Sequence, residues 1–190
     1  MSVRKRIWEP NGVYSITFTC ARWLELYKIT NGYDTVYHWF DYLKAKGNHI
    51  VAYVIMPSHV HAIIGFCTST TPINNIIGNG KRFMAYELVK LLRSQGKEEL
   101  LEQMKGWVNS TDEMRHKQHE VFEPSFDWKE CFDMRFIEQK AANIHMNPCK
   151  AGMVKLPEEY VHSSAKYYYT GEQGIYPVIT YIEFQDIDLT

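Results

Sequence analysis

The sequence predicts an α+β fold, a ferredoxin-like sandwich with a mainly antiparallel sheet and helices on one face. Two short apolar runs, His49–Met56 and His59–Phe66, are separated only by Pro57–Ser58, which is typical of an antiparallel hairpin. Segments of helical periodicity precede and follow this hairpin, so the elements run strand, helix, hairpin, helix, strand, helix. With 190 residues, of which 45% are hydrophobic, the chain can bury one sizeable core. We therefore expect a single domain over residues 1–190.

The N-terminal part supplies the first strand and the first helix of this order. Gly12–Thr19 combines aromatic and β-branched residues in alternation, which predicts a strand. Tyr33–Lys46 places Val36, Phe40 and Leu43 at helical spacing and is followed by a glycine, which predicts a helix. Both runs of the hairpin that comes next are apolar enough to be central strands.

The middle of the chain predicts a second helix and then a loop. Pro72–Arg93 carries apolar residues on a helical face, but Gly78 and Gly80 interrupt it, so two helical pieces and one helix with a weak start both fit. The polar stretch 94–119 predicts a helix end followed by a mobile loop. Val121–Phe122 predicts a short strand.

The C-terminal part predicts one more helix and then a tail. Phe136–Met146 is rich in helix formers and ends before Asn147–Pro148, because proline disfavours helix in the residue that precedes it. From Leu156 onward the sequence predicts a loop with several tyrosines. Residues 171–190 carry acidic but no basic side chains, so we expect an acidic C-terminal tail there.

The net charge of −1 gives no general sign of a nucleic-acid partner, but the charges are divided unevenly along the chain. Residues 1–97 hold 12 basic and 5 acidic side chains, whereas residues 98–190 hold 9 basic and 17 acidic ones. The halves therefore carry +7 and −8. A phosphate-binding surface is expected mainly in the N-terminal half.

Several classes of protein are excluded by composition. No apolar run approaches the roughly 20 residues that span a bilayer, and the N-terminus has no apolar stretch typical of a signal peptide. The four cysteines lie far apart without a C-x-x-C pair, which fits neither a structural zinc site nor a disulfide framework. We expect a soluble, cytoplasmic protein with no membrane partner.

His59 and His61 are the feature with the most chemistry. In a strand, residues two apart point to the same face, so the two imidazoles lie side by side while Val60 faces the opposite layer. That geometry suits two ligands of one divalent ion, although a chance H-x-H explains an isolated pair equally well. A third ligand must come from another element. Asn147 can offer its carbonyl oxygen to a hard cation, but asparagine before proline is also a common turn or capping residue.

The chain also resembles a known family of enzymes. The resemblance is carried by VIMPSHVHAII around the histidine pair, by the basic-aromatic GKRFMAYE, and by FIEQKAANIHMNPCKAGMVKLPEEYVHSSAKYYY. These stretches resemble the single-tyrosine transposases of the HUH class, in particular the REP-associated tyrosine transposases and their insertion-sequence relatives. The resemblance extends from about Gly12 to Pro177, and its motifs are specific in combination rather than singly.

The resemblance implies a definite activity. Such enzymes recognise hairpins in single-stranded DNA and attack a phosphodiester with a tyrosine hydroxyl, which leaves a 5′-phosphotyrosine link and a free 3′-hydroxyl. Carried over to this chain, it implies that His59 and His61 hold a divalent metal, Mg²⁺ or Mn²⁺, with Asn147 as the third ligand. Such a metal stabilises the charge that builds on the leaving oxygen.

The chain departs from the family's pattern at Asn143. In the family, the nucleophilic tyrosine stands immediately before the I-H of I-H-x-N-P, and an amide in its place cannot form the covalent link. A decayed or domesticated relative that keeps hairpin binding, a chain whose tyrosine was changed to trap a DNA complex, and a substitute tyrosine all remain open. Tyr160 and the 167–169 run are the candidate substitutes, but packing is the better-supported role for them. We favour a catalytically impaired transposase scaffold.

A basic and aromatic stretch is the expected DNA-binding surface. Its residues are Lys81, Arg82, Phe83, Tyr86 and Lys90. The cations would contact phosphates and the two rings would stack on unpaired bases, whereas the alternative is a solvated helix face with Phe83 in the core. Arg4, Lys5 and Arg6 form a second small cluster, typical of an arm that follows a DNA backbone.

Three functions follow from these features. The first is a DNA strand transferase that acts on single-stranded hairpins, and the second is a non-catalytic DNA-binding or regulatory module descended from one, which Asn143 favours. A metal-dependent hydrolase is weaker, because no carboxylate stands near the histidines in sequence to act as a base. The resemblance leaves a monomer and a homodimer equally open.

Overall fold

The computed structural model describes residue 7 and residues 9–67, 71–114 and 116–184. Its sheet is antiparallel throughout and has the strand order β2-β3-β1-β4. The strands are β1 (Gly12–Thr19), β2 (His49–Met56), β3 (His59–Phe66) and β4 (Asp127–Glu130). The first three have the bounds that the sequence predicts.

Helices connect these strands and cover the sheet. Within the described residues they are α1 (Leu26–Thr30), α2 (Asp34–Ala45), α3 (Ile73–Ser94), α4 (Glu98–Gly106), α5 (Ser110–Glu113), α6 (Met134–His145), α7 (Asn147–Lys150), α8 (Ala165–Thr170) and α9 (Tyr181–Phe184). In the described ranges, none of these helices combines the length and the apolar character that crossing a membrane requires.

The two faces of the sheet carry separate hydrophobic cores. The larger core lies between one face and α2 and α3, and includes Phe18, Phe40 and Val60. The second core lies on the opposite face, where Ile144 of α6 joins Ile63 of β3. The predicted α+β class and antiparallel sheet are confirmed, but the expectation of helices on one face only is wrong. Because β2 and the C-terminal half of β3 are buried on both faces, the sheet needs a covering layer on each side.

The predicted helix over Pro72–Arg93 is one continuous helix, α3, rather than two pieces. Gly80 lies in its interior and allows the helix backbone to approach the Trp39 ring of α2 so closely that a Cβ would overlap the indole nitrogen. Gly78 has no such neighbour, since a Cβ there would meet nothing within 4 Å. The two glycines therefore do not interrupt the helix. Gly80 permits a close helix–helix contact, and Gly78 has no packing requirement for glycine.

Three details of the middle segment differ from the prediction. The polar stretch 94–119 is not a loop, because Leu101 and Met104 are buried at helical spacing in α4. Val121–Phe122 is not a strand; Phe122 makes a single bridge to Cys20. The fourth strand is instead β4, whose four residues are mostly exposed and give no alternating apolar signal.

The segment after Leu156 closes the outer edge of β2. The backbone carbonyl of His162 accepts a hydrogen bond from the Ile55 amide (2.8 Å), and the Ser164 amide donates to the carbonyl of Tyr53 (3.0 Å). The Ser164 hydroxyl oxygen accepts from the Tyr53 amide (2.9 Å). Peptide groups that an edge strand would leave open are thus paired within the chain.

His162 itself occupies an aromatic pocket. Its ring stacks on Tyr33, with centroids 3.6 Å apart and the planes 3° from parallel, and its Nδ1 is hydrogen-bonded to the Tyr37 hydroxyl (3.0 Å). The ring of Tyr160 meets it edge-on at 6.1 Å. Burial lowers the pKa of His162, and the nearby Asp34 carboxylate opposes this shift in part.

The loop predicted from Leu156 is more structured than expected, because a 3-10 turn at Pro157–Glu159 and the helices α8 and α9 interrupt it. The acidic stretch 171–190 is described as far as Phe184, and over this part it packs on the body of the protein. Tyr176 and Phe184 are buried, and the Phe184 ring lies where a side chain at Gly65 would stand.

Candidate functional site: a histidine pair and a basic groove

The histidine pair lies at the start of β3 on the sheet face that α6 covers. The rings of His59 and His61 stand 4.9 Å apart at 90°, while Val60 between them is fully buried in the opposite core. The register sets His61 opposite Thr17 of β1, and His59 opposite Thr19. The side-by-side arrangement expected from the sequence is therefore present.

Neighbouring hydroxyls orient both imidazoles. Thr17 Oγ1 and His61 Nδ1 form a hydrogen bond of 2.7 Å, and Ser58 Oγ lies 3.1 Å from His59 Nδ1. When Nδ1–H donates to these oxygens, each Nε2 presents its lone pair away from the strand. Burial lowers the pKa of both rings, and for His61, where His59 and Lys140 add to the effect, it falls to about 4. Both imidazoles are thus neutral near pH 7, which is the ligating form.

The C-terminal end of α6 is held to the sheet by His145. This residue is buried, and its Nε2 forms a 2.8 Å hydrogen bond with the Ser164 hydroxyl, which is itself bonded to the backbone of Tyr53 on β2. Burial lowers the pKa of His145 to about 4, so the contact joins neutral groups near pH 7. His145 of the I-H-x-N-P motif and Ser164 therefore meet in space and fix the position of α6.

Three residues in and just after the C-terminal half of α6 share one side of this segment. Lys140 and Asn143 belong to α6 and Asn147 begins α7, at spacings of three and four residues. Lys140 is close enough to His61 to shift its pKa. Asn143 is exposed. Asn147 is half-buried, and its side-chain amide donates to the carbonyls of Asn143 and Ile144 (both 3.1 Å), so it also closes the end of the helix.

Part of a donor set for a divalent metal is present at the histidine pair. Two neutral imidazoles with oriented Nε2 atoms are good ligands, and the Asn147 amide nitrogen, being committed to backbone carbonyls, leaves its oxygen as the remaining donor. Within the described ranges no three histidine, cysteine, aspartate or glutamate side chains cluster as a metal site. Within the described residues a third protein ligand would therefore have to be of another type, such as the Asn147 amide oxygen.

The tyrosines considered as substitutes for Asn143 differ in their surroundings. Tyr160 is buried and its hydroxyl donates to the Ile55 carbonyl (2.9 Å). The Tyr168 hydroxyl donates to the Val51 carbonyl (2.9 Å), and that of Tyr167 to Glu183. Burial raises the pKa of Tyr160 and Tyr168. These three hydroxyls are engaged in hydrogen bonds within the protein, whereas Tyr169, the last residue of the 167–169 run, is 52% exposed.

A basic groove lies on the other side of the sheet. It has a volume of about 680 Å³ and runs between α3 and the segment 112–124. Arg82, Tyr86, Lys90 and Arg93 line its α3 wall, each exposed. Because α3 covers the sheet face opposite the histidines, this basic surface and the histidine pair lie on different faces of the sheet.

Lys81 of the predicted DNA-binding surface lines the groove but is largely buried. Only 8% of the residue is exposed, and its ammonium donates to the backbone carbonyls of Glu123 (2.7 Å) and Ser125 (3.0 Å). Lys81 therefore ties α3 to the segment that leads into β4. Helical spacing explains the difference, because Lys81 shares the inward face with Ile77 and Met84 while Arg82 turns outward.

The other predicted residues of this surface are accessible. Phe83 and Tyr86 are 61% and 65% exposed, so the alternative that Phe83 belongs to the core is wrong. The Arg82 guanidinium lies 5.8 Å from the Phe83 ring centre, and Lys90 pairs with Glu87 across one turn (3.8 Å). The predicted cluster Arg4, Lys5 and Arg6 lies outside the described residues.

The sequence did not single out three residues that border the site. Thr17 is recognisable only through the register that pairs it with His61. Lys140 could have been found from its spacing to Asn143 on the same helix. Trp23, whose ring lies 5.3 Å from that of His59, gives no periodic signal because it stands in a 3-10 turn after β1.

Comparison with solved structures identifies the fold. The chain is similar to a REP-associated tyrosine transposase bound to a REP hairpin, with a TM-score of 0.63 and 18% sequence identity over 100% of this chain and 94% of the other. A second solved structure, of a transposase candidate from Deinococcus radiodurans R1, aligns with a TM-score of 0.42 and 16% identity over 74% of this chain and 95% of its own. No protein-family model and no curated protein matches the chain. The fold implied by the resemblance is confirmed.

Proposed function

We propose that this protein binds single-stranded DNA hairpins in the manner of a REP-associated tyrosine transposase, and that its strand-transfer chemistry is impaired at Asn143. The observation that carries the proposal is that Lys140, which shares one side of α6 with Asn143, lies close enough to the oriented histidine pair to lower the pKa of His61. Support comes from a similar fold in a transposase that was solved with a REP hairpin.

The residues at the histidine pair are suited to hold a phosphodiester. Lys140 places a positive charge on this face, and neutral His59 and His61 add no negative charge that would repel phosphate. His59, His61 and the Asn147 oxygen are the residues that would hold Mg²⁺ or Mn²⁺, which when bound supplies Lewis-acid stabilisation of the leaving oxygen. Thr17 and Ser58 keep both imidazoles in the tautomer that leaves Nε2 free.

The missing element is a nucleophile. Asn143 occupies the exposed position on α6 from which the family's tyrosine would attack, and its amide cannot form a phosphotyrosine link. The groove lined by Arg82, Lys90 and Arg93 would contact the hairpin backbone, and Tyr86 offers a ring for an unpaired base. DNA binding is therefore retained in the proposal, and cleavage is not.

Restoring the tyrosine tests both halves of this proposal. The unmodified protein and the Asn143→Tyr variant are incubated with a single-stranded DNA hairpin and Mn²⁺, and covalent adducts are sought on a denaturing gel. We expect the unmodified protein to bind the hairpin in a native gel without forming an adduct. We expect the Asn143→Tyr variant to form an adduct. This adduct should be absent in the presence of EDTA and in a double variant that also carries His61→Ala. An adduct on any tyrosine of the unmodified protein would contradict the proposal.

A second function, a non-catalytic DNA-binding or regulatory module, is favoured by Asn147. Its amide closes α6 against two backbone carbonyls, a structural role that needs no metal. If Asn143→Tyr binds the hairpin as well as the unmodified protein and still forms no adduct, the site has lost more than its nucleophile. That result would establish this second function in place of the first.

A further inference from the structure

The Cys20–Leu24 segment, here called the strap, leaves β1 next to the histidine pair. Its first amide, that of Cys20, donates to the Ser58 carbonyl (2.8 Å), and the Ala21 amide donates to Val121 (2.9 Å). Cys20 and Ala21 are buried, so the strap is anchored at its start. Arg22 and Trp23 are exposed, whereas Leu24 packs against the core, so the strap is fixed at both ends and carries an accessible tip.

The tip of the strap has an unfavourable backbone conformation. Arg22 and Trp23 both adopt positive φ angles, 52° and 59°, in a region that residues with a large side chain rarely occupy. Hydrogen bonds hold this conformation in place, since the Arg22 amide donates to Glu123 Oε1 (2.9 Å) and the Trp23 amide to the Cys20 carbonyl (3.0 Å). Strain that the surroundings maintain at an exposed site is a reason to look for a role of the side chains it directs.

The conformation directs the Trp23 indole into solvent beside the histidine pair. The residue is 64% exposed, and its ring meets His59 edge-on with centroids 5.3 Å apart. A tryptophan ring is more often largely buried, as is that of Trp39, which extends from α2 against α3. The exposed face of the Trp23 ring is therefore open to solvent directly beside His59, which is a proposed metal ligand.

The strap also touches the basic groove. Glu123, which binds the Arg22 amide, lines that groove, and the Arg22 guanidinium lies 4.6 Å from the ring centre of Trp107. The groove and the histidine pair are on opposite faces of the sheet, and the strap contacts a residue of each, Glu123 of the groove and His59 of the pair. The strap therefore lies on a route that a strand of DNA held at both places can take.

We propose that Trp23 is a stacking platform for an unpaired nucleobase of single-stranded DNA that runs from the basic groove to the histidine pair. This inference rests on the proposed function. A nucleobase is the occupant that the surroundings favour, because the described neighbours of the ring include the His59 imidazole and the adjacent Arg22, whose amide is bonded to Glu123. Aromatic stacking is also tolerant of base identity, which suits a residue that guides a strand to the scissile phosphate.

The inference is tested with hairpins that differ only beside the stem. One fluorescently labelled hairpin carries oligothymidine extensions at both ends, and the other carries abasic extensions of the same length. The unmodified protein is expected to bind the thymidine form about tenfold more tightly by anisotropy. Trp23→Asn, which removes the ring but tolerates positive φ, should remove most of this difference, the remainder being due to Tyr86, and Trp23→Phe should keep most of it.

Tyr42→Ala is the matched control, because Tyr42 is 52% exposed on α2, which covers the face opposite the histidines. Retention of most of the thymidine preference in Trp23→Asn, or its loss in Tyr42→Ala, would overturn the inference while leaving hairpin binding intact. If the unmodified protein binds neither hairpin, the proposed function fails, and this inference fails with it.

Discussion

Exchanging Lys81 for methionine should unfold the protein more easily without removing a DNA contact. The ammonium makes two charge-assisted hydrogen bonds, to the carbonyls of Glu123 and Ser125. Each such bond contributes about 1.5–3 kcal/mol, and the ammonium's recovered hydration offsets part of the sum. Because Lys81→Met keeps the aliphatic stem and leaves both carbonyls unpaired, we expect a loss of about 3 kcal/mol. For a chain of this length that lowers Tm by about 6–12 °C.

The neighbouring residue provides the control for Lys81. Arg82 is exposed, so Arg82→Met should change the free energy of unfolding by less than about 0.5 kcal/mol and weaken hairpin binding at low salt. Urea and thermal unfolding followed by circular dichroism measure the first effect, and anisotropy with a labelled hairpin, below the unfolding range of both variants, measures the second. The reasoning is refuted if Lys81→Met is as stable as the unmodified protein, or if it weakens binding as much as Arg82→Met does.

Two further predictions concern packing and pH. Gly80→Ala should destabilise the protein by about 1–3 kcal/mol because its Cβ would overlap Trp39. Gly78→Ala should stabilise it by about 0.5–1 kcal/mol, because alanine is the better helix former and its Cβ meets no neighbour. Urea unfolding of both variants measures the two opposite changes, and equal effects would contradict the packing argument. Burial lowers the pKa of His162, so the unfolded chain takes up this proton more readily, and stability is lost as pH falls below the unfolded value of about 6.5. His162→Gln should make the fall in stability between about pH 7 and pH 5 shallower, and an unchanged slope in pH-dependent unfolding would show that His162 contributes nothing to it.

The elements that the sequence predicts well are those in which a clear pattern of apolar residues reflects burial in the core. The bounds of β1, β2 and β3 follow from alternation and from Pro57–Ser58, and all three agree with the structure. The prediction of a loop within 94–119 is wrong because only two buried residues, Leu101 and Met104, distinguish α4 from a polar loop. The strand β4 fails because it is an edge strand of four residues, whose pairing with β1 supplies what its own composition does not.

The candidate site divides in the same way. The same-face geometry of His59 and His61 follows from the two-residue period of a strand and needs no tertiary information. The burial of Lys81 was not predictable from its charge, because backbone carbonyls of a distant segment offset the loss of hydration. The role of Trp23 depends on a left-handed turn, which no periodic pattern indicates.

The closed edge of β2 limits how two copies of this chain can associate. A second chain that adds a strand to β2 has to take over the Tyr53 and Ile55 amides, and so must displace His162–Ser164. Removing Ser164 also releases His145, the residue that fixes the end of α6. Strand addition at this edge and correct positioning of Lys140, Asn143 and Asn147 are therefore mutually exclusive. Any sheet-to-sheet assembly that leaves the site intact must use the opposite edge, at β4.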